Sequence, residues 1–522
     1  MSQATPAAAA PDKLGRDVFV VAGVVVLGAI MSILDVTVVA VAQPTFINDF
    51  GTTAAGAAWS MTGYTLALAA VIPIASWAVG RFGAKKVYMT SLVLFVIGSI
   101  LCAMATSIGT LVAFRMIQGL GGGLLMPVGM MIMTRAAGPE RVGSVMAVLG
   151  IPMLLGPIAG PILGGWLIEI ASWHWVFLIN IPIGVVAVIY AWFALKDDDE
   201  KTKSSIDFLG LALLSPGLAL FLFGVSSSAE HKTFNHTGVY IPMIIGAVLI
   251  VGFVAHALRS KKPLLDLRLF KNRTLAISVI TMVTFMVAFF GASLLYPQYF
   301  ITVRGESTLI AGLLLAPQGI GAMLTMPIAG KMTDKIGPGK FVLGGLVLIL
   351  IGVSTFTQLT ADTPYWIICL ALFVQGLGMG MTMMPIMSSA LASLKGAQVP
   401  DGSTLVNVIQ QTSSSIGTAV ITVIYTGLLT APAMLAQLSN TMPALLPKQF
   451  TSLPAPAQEQ AIAAGLDEAA SAFADTFIIA VVLIAITFVP AFFLPRKKIV
   501  AAHSEDVDLD GDGGPAAPVI MH

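Results

Sequence analysis

Charge is scarce in this chain of 522 residues, where Asp, Glu, Lys and Arg together make up 10%, against about a quarter in an ordinary soluble domain. With 57% of residues hydrophobic, a soluble globular fold is excluded, because too little polar surface is left to cover the core. Cysteine is nearly absent as well. Cys102 and Cys369 each sit inside an apolar run, which suits packed small hydrophobes and not a disulfide framework or a metal pair. No metal-spaced His/Cys set, no Gly-Lys-Ser/Thr phosphate loop and no nucleophile-base arrangement occurs. Nothing therefore argues for ATP hydrolysis, a metal, a cofactor or an enzyme. The net charge is +1, so no bulk pull toward nucleic acid exists.

What the chain has is long apolar runs. A helix needs ~20 mainly apolar residues to cross a bilayer, and fourteen such runs are found, at 18–42, 56–79, 87–106, 109–133, 142–170, 175–195, 207–226, 238–258, 274–300, 308–330, 341–360, 365–390, 403–430 and 472–495. The first is too long for a signal-peptide core and is expected to stay as a helix. An even number of spans puts both termini on one side. All Lys and Arg except Lys232, Arg304, Lys448 and the intramembrane Arg115 fall on or at that side, which the positive-inside rule makes cytoplasmic.

An internal repeat organises these spans. Gln118-Gly119-Leu120-Gly121 followed by Met126-Pro127 returns as Gln375-Gly376-Leu377-Gly378 followed by Met384-Pro385, and Arg81-Phe82-Gly83 returns as Lys335-Ile336-Gly337. Two echoes at nearly one offset indicate a duplicated bundle, a common plan among transporters. The expected organisation is an N-terminal tail at 1–17, a six-helix bundle at 18–196, an inserted helix pair with linkers at 197–273, a second six-helix bundle at 274–495, and an acidic tail at 496–522. The Pro-rich outer loop 431–471 ends in an Ala-rich stretch from Gln458 to Ala474, which reads equally as a surface helix or a flexible connector. In the tail, Asp506, Asp508, Asp510, Gly511 and Asp512 imitate a calcium loop, but its closing Glu position holds Ala517, so a solvated acidic tail is the better reading.

Asp35 is the acidic residue that lies well inside a span. A carboxylate in hydrocarbon costs several kcal/mol, so it is expected to face a cavity or a partner and to bind a proton; the alternative is a purely structural hydrogen-bonder. Arg115 is the matching intramembrane base. Arg does not deprotonate in proteins, so its role is electrostatic, unless it snorkels to the outer interface. The run Gly156-Pro157-Ile158-Ala159-Gly160-Pro161-Ile162-Leu163-Gly164-Gly165 places glycines four apart on one helix face, where another backbone approaches closely, and its prolines favour a bend. The methionines around Met379, Met383 and Met387 suit a cavity for varied apolar ligands, although generic membrane packing is the simpler account. Gln118, Asn180, Gln375 and Gln410 complete the expected cavity lining.

These residues resemble the major facilitator superfamily, specifically its fourteen-span drug:proton antiporter branch, over roughly residues 18–495. Leu34-Asp35-Val36-Thr37 through Gln43-Pro44 is similar to the first-helix signature, Arg115-Met116-Ile117-Gln118-Gly119-Leu120-Gly121 to the fourth-helix signature, and the glycine-proline run to the antiporter signature. Trp173 to Gly184 also resembles the branch, with His174 where Arg is common. The resemblance implies an all-α membrane protein with two pseudo-symmetric bundles, and Asp35 and Arg115 in proton coupling. It further implies a cytoplasmic gate of Arg81, Gly83, Lys85 and Lys86 with Asp334 and Lys335. Gly80 stands where Asp is usual before Arg81, and Ser76 replaces the usual leading Gly, so the first-half gate is expected to be weaker or rewired. The implied function is multidrug efflux across the bacterial cytoplasmic membrane, driven by the proton gradient with no cofactor. Small molecules, protons and the bilayer are the implied partners of a monomer, with room for a periplasmic adaptor. Export of an endogenous lipid, siderophore or metabolite, and a non-transporting sensor or scaffold, remain as alternatives. Spans nine to thirteen hold no interior carboxylate, which sets the chain apart from dedicated cation exporters.

Overall fold

The computed structural model describes residues 16–138, 141–196, 205–441 and 446–497, and all of their regular structure is helical. The N-terminal tail before residue 16 and the calcium-like acidic tail lie outside the described residues. The first half contains α1 (Arg16–Phe50), α2 (Gly56–Phe82), α3 (Ala84–Ala103), α4 (Ile108–Ala137), α5 (Val142–Ile170) and α6 (Trp175–Ala194). Next come α7 (Phe208–His231) and α8 (Thr237–Arg259). The second half contains α9 (Arg273–Thr302), α10 (Thr308–Ile336), α11 (Gly339–Gln358), α12 (Tyr365–Ala392), α13 (Val399–Leu428), the short α14 (Ala431–Thr441) and α15 (Ala455–Ala491). A helix covers each expected apolar run. Among the described residues 12 helices are long and apolar enough to cross a membrane, and the bent pair formed by α13 and α14, turned by 111°, makes 13. Helix α5, 29 residues long, stands outside that count because some of its side chains are not described.

Sequence explains the breaks. Pro73 sits in a 3-10 turn, Ile72–Ile74, that interrupts α2, as expected where a donor is missing from the helix ladder. Ser107, Asp207, Asn272 and Ser307 cap the starts of α4, α7, α9 and α10 through their side chains, satisfying orphan backbone donors. Gly83 ends α2 at φ +90° and Gly337 ends α10 at φ +89°, a conformation open to glycine and costly for other residues. These two glycines are equivalent in the repeat.

The duplication is visible in packing. Helix α1 packs on α5 as α9 packs on α13, α2 on α4 as α10 on α12, and α3 on α4 as α11 on α12. Helices α7 and α8 pack on each other, and α7 leans on both halves through α2 and α13, with Trp59 stacked on Phe223 at 5.5 Å. Asp207 closes this pair at its base, accepting from Gly210 N at 2.9 Å and Leu264 N at 3.0 Å and pairing with His256 Nε2 at 2.9 Å. The end of the molecule where α1 begins is called the near end here, and the opposite one the far end. At the far end, residues 431–441 and 455–474 are helical and not a loose connector. Helix α14 lies on the outer part of α15, and Asn440 Nδ2 ties it to the end of α9 at Thr302 O, 3.1 Å away.

Candidate functional site

Halfway along α1, Asp35 is 1% exposed, and Arg115 of α4 is fully buried beside it. Arg115 Nη1 donates to Asp35 Oδ2 and, at 2.7 Å, to Gln118 Oε1. Gln118 Nε2 donates to Asp35 Oδ1 and to Ser99 Oγ, each at 2.7 Å. Asn180 Nδ2 reaches the same Oδ1 at 3.0 Å, while Arg115 Nε donates to Ser60 O at 3.0 Å. The guanidinium also lies over the Tyr64 ring, 4.2 Å from its centroid. Four helices of the first half therefore meet on one ion pair, together with a carbonyl of α2. Removing either partner from such a pair strands a charge in low dielectric and costs about 3–5 kcal/mol. Arg115 Nη2 has no hydrogen-bond partner among the described residues.

The glycine run of α5 sets this geometry from outside the network. A Cβ on Gly156 would strike Ile33, one on Gly160 would strike Thr37, and one on Gly164 would press on Val38. The glycine face thus seats α5 directly on the turns of α1 that flank Asp35. Gly165 faces open space. The side chains of Pro157 and Pro161 lie outside the described residues.

The two halves meet at the near end. Asp334, at the end of α10, accepts from Gly143 N at 2.8 Å, Ser144 N at 2.9 Å and Ser144 Oγ at 2.7 Å, which places an anion on the positive first turn of α5. In the first half, where Gly80 supplies no acid, the polarity is reversed: Ser76 of α2 donates to Asp401 in the first turn of α13. Beside Asp334, Gly143 packs against Gly330, and further along α5 Gly150 packs against Met326 and Met384. Asn407 Nδ2 meets Met130 Sδ at 3.0 Å. Of the other expected gate residues, Arg81, Lys86 and Lys335 are exposed, and Lys85 Nζ lies 5.7 Å from the Trp192 ring centroid.

Toward the far end the halves separate around a cavity of about 640 Å³. Val36, Thr37 and Ala40 of α1 face Phe289 and Phe290 of α9, Gln318 of α10, and Met379 and Met383 of α12. No described wall residue is charged. Gln318 Nε2 is a buried donor with no partner among the described residues, available to a ligand oxygen.

Several expectations are corrected here. Gln118 and Asn180 do not line the cavity; the Asp35 carboxylate and Ser99 hold their amides inside the first half. Gln375 is fully buried, and neither of its amide atoms closes a hydrogen bond, although the Tyr296 hydroxyl is its neighbour. Met387 is buried and Gln410 half-buried, and neither is among the described wall residues. Sequence reasoning missed Ser60, Ser99 and Tyr64, which carry no pattern of their own. It also missed Asp401, although Val399-Pro400-Asp401 is a helix-start signature.

A duplicated helical fold around a central cavity, with a buried ion pair behind its wall, defines a membrane transporter, and the chain belongs to the Major Facilitator Superfamily, whose family model matches residues 25–418. It is 45% identical over 498 residues, 94% of this chain and 92% of the other, to the multidrug resistance protein B homolog of Mycobacterium tuberculosis. It is 29% identical to the multidrug export protein EmrB of Escherichia coli, over 77% of this chain and 78% of that one. Its fold is similar to that of the human organic anion transporter MFSD10, with a TM-score of 0.58 at 15% identity, covering 90% of this chain and 99% of that one.

Proposed function

We propose that this chain is a proton-coupled multidrug exporter of the bacterial cytoplasmic membrane, in which proton binding at Asp35 drives outward movement of amphipathic or lipophilic small molecules. The observation that carries this reading is that one helical turn serves both tasks. Val36 and Thr37 form cavity wall while Asp35, next in the chain, is held in the buried ion pair. Protonating Asp35 cancels its charge and loosens its hold on Arg115, so that α1 is free to shift against α4; a ligand pressing on the wall acts on the same turn. Closure of the near end and the far-side cavity are the arrangement of a transporter open to one side. The excess of Lys and Arg at the near end supports placing that end and both termini in the cytoplasm. The wall, uncharged among its described residues, suits neutral or weakly basic lipophiles, and the names of the relatives support drugs as cargo. In proteoliposomes, wild type is expected to pump substrate uphill under an imposed pH gradient, and Asp35→Asn to lose uphill pumping. Uphill pumping by the variant overturns the assignment.

A further inference from the structure

On the membrane-facing side of the first half, at its near end, a second cavity of about 340 Å³ opens between the ends of α2 and α3 and the middle of α4. Phe82, Val87, Leu94 and Leu124 form its apolar floor and walls, and Lys86 and Thr90 its rim. From there the exposed stripe of α3 continues through Val93, Ile97, Ile100 and Met104, at the three- and four-residue spacing that keeps side chains on one helix face. A lysine thus stands at the head of an apolar track that runs into the hydrocarbon.

Among the described residues that line this groove or flank it in sequence, the charges are of one sign. Arg81 and Lys85 flank the groove residues Phe82 and Lys86 in sequence, and Gly80 before Arg81 carries no charge. Among the described residues none of the three bases makes an ion pair with a carboxylate. Trp192, exposed at the end of α6, lies near Lys85, a placement typical of aromatic rings at headgroup level.

We propose that this groove is a binding site for one anionic phospholipid, with the phosphate on Lys86, Arg81 and Lys85 and an acyl chain along α3. A zwitterionic lipid brings its own cation to a head that already holds Lys86, with Arg81 and Lys85 beside it in sequence. Inorganic phosphate matches the charge but gains nothing from the apolar floor, where each buried methylene adds affinity. The site is independent of the transport cavity, which lies between the halves at the far end.

The experiment uses full-length protein stripped of lipid in detergent, with bound molecules counted by native mass spectrometry after addition of phosphatidylglycerol, phosphatidylcholine or inorganic phosphate. Phosphatidylglycerol is expected to be retained several-fold over phosphatidylcholine, and an excess of inorganic phosphate to leave it in place. Lys86→Gln is expected to weaken retention about fivefold, the effect of one basic charge near an anionic headgroup, while Lys340→Gln, an exposed base at the same end on α11, changes nothing. Thr90→Trp, which fills the groove without touching charge, is expected to lower retention as well. Equal retention of the two lipids, displacement by inorganic phosphate, equal effects of Lys86→Gln and Lys340→Gln, or full retention by Thr90→Trp overturns the proposal.

Discussion

Gln118 Nε2 donates to Asp35 Oδ1 at 2.7 Å while its Oε1 accepts from Arg115 Nη1 at 2.7 Å, so one amide holds both ends of the buried pair. Its repeat equivalent, Gln375, is equally buried but closes no hydrogen bond among the described residues. The same substitution is therefore expected to act in opposite directions in the two halves. Gln118→Leu leaves two buried charges each short of a partner, a loss of about 1–3 kcal/mol, and lowers the unfolding midpoint in detergent. Gln375→Leu removes polar atoms that gain nothing, and is expected to leave the midpoint unchanged or raise it.

The ion pair itself is open to a double-mutant cycle. Arg115→Gln strands the Asp35 carboxylate and is expected to destabilise by about 3–5 kcal/mol, whereas adding Asp35→Asn restores much of that loss because no unpaired charge remains. The coupling energy, read from thermal or denaturant unfolding of the four proteins, is expected to be on the order of 1–3 kcal/mol. Arg115→Lys should not rescue, since an ammonium cannot reach Ser60 O, Asp35 and Gln118 together from one planar fork.

The helices were legible in the sequence because each rests on a local quantity, the length of an apolar run. Asp35 and Arg115 were legible for a related reason, charge standing out against hydrocarbon. Their partners were not. Ser99 carries an ordinary small polar side chain and Ser60 offers only a backbone carbonyl, and only the packing of α3 and α2 against α4 brings them to the network. Gln118 was noticed through its repeat and then placed on the cavity wall, because a repeat reveals equivalence of position and not the direction in which a side chain points. The one-residue step from cavity wall to ion pair along α1 depends on how α5 seats on it, a tertiary fact written in the spaced glycines but read from them only as closeness.

The near-end contacts predict an ordered pair of conformational effects. Asp334 accepts three hydrogen bonds across the halves, and Asp401 accepts one from Ser76. Asp334→Ala is accordingly expected to open the near end more than Ser76→Ala does. The measurement is labelling of a cysteine introduced at Ala147, packed against Gly330 in this closure, in a background lacking Cys102 and Cys369. Labelling should rise in both variants, further in Asp334→Ala. Unchanged labelling in both would mean that the close crossing of α5 and α10 holds this end without them.

That crossing and the seat of α5 on α1 both depend on glycine, and the run at 156–165 gives an internal control. Gly160→Leu drives a side chain into Thr37, whose backbone carbon lies 3.1 Å from where the first carbon would stand. Overpacking of this kind costs about 1–3 kcal/mol, and here it also pushes away the turn that carries Asp35. Gly165 has nothing within 4 Å of its added carbon, so Gly165→Ala is expected to be neutral, or stabilising by up to about 1 kcal/mol through helix propensity. The decisive comparison is transport per folded molecule. Gly160→Leu should lower pumping even after correction for membrane abundance, because the position of Asp35 changes, while Gly165→Ala pumps as wild type. If Gly160→Leu lowers abundance alone and each folded copy pumps normally, the glycine face serves packing and the position of Asp35 does not depend on it.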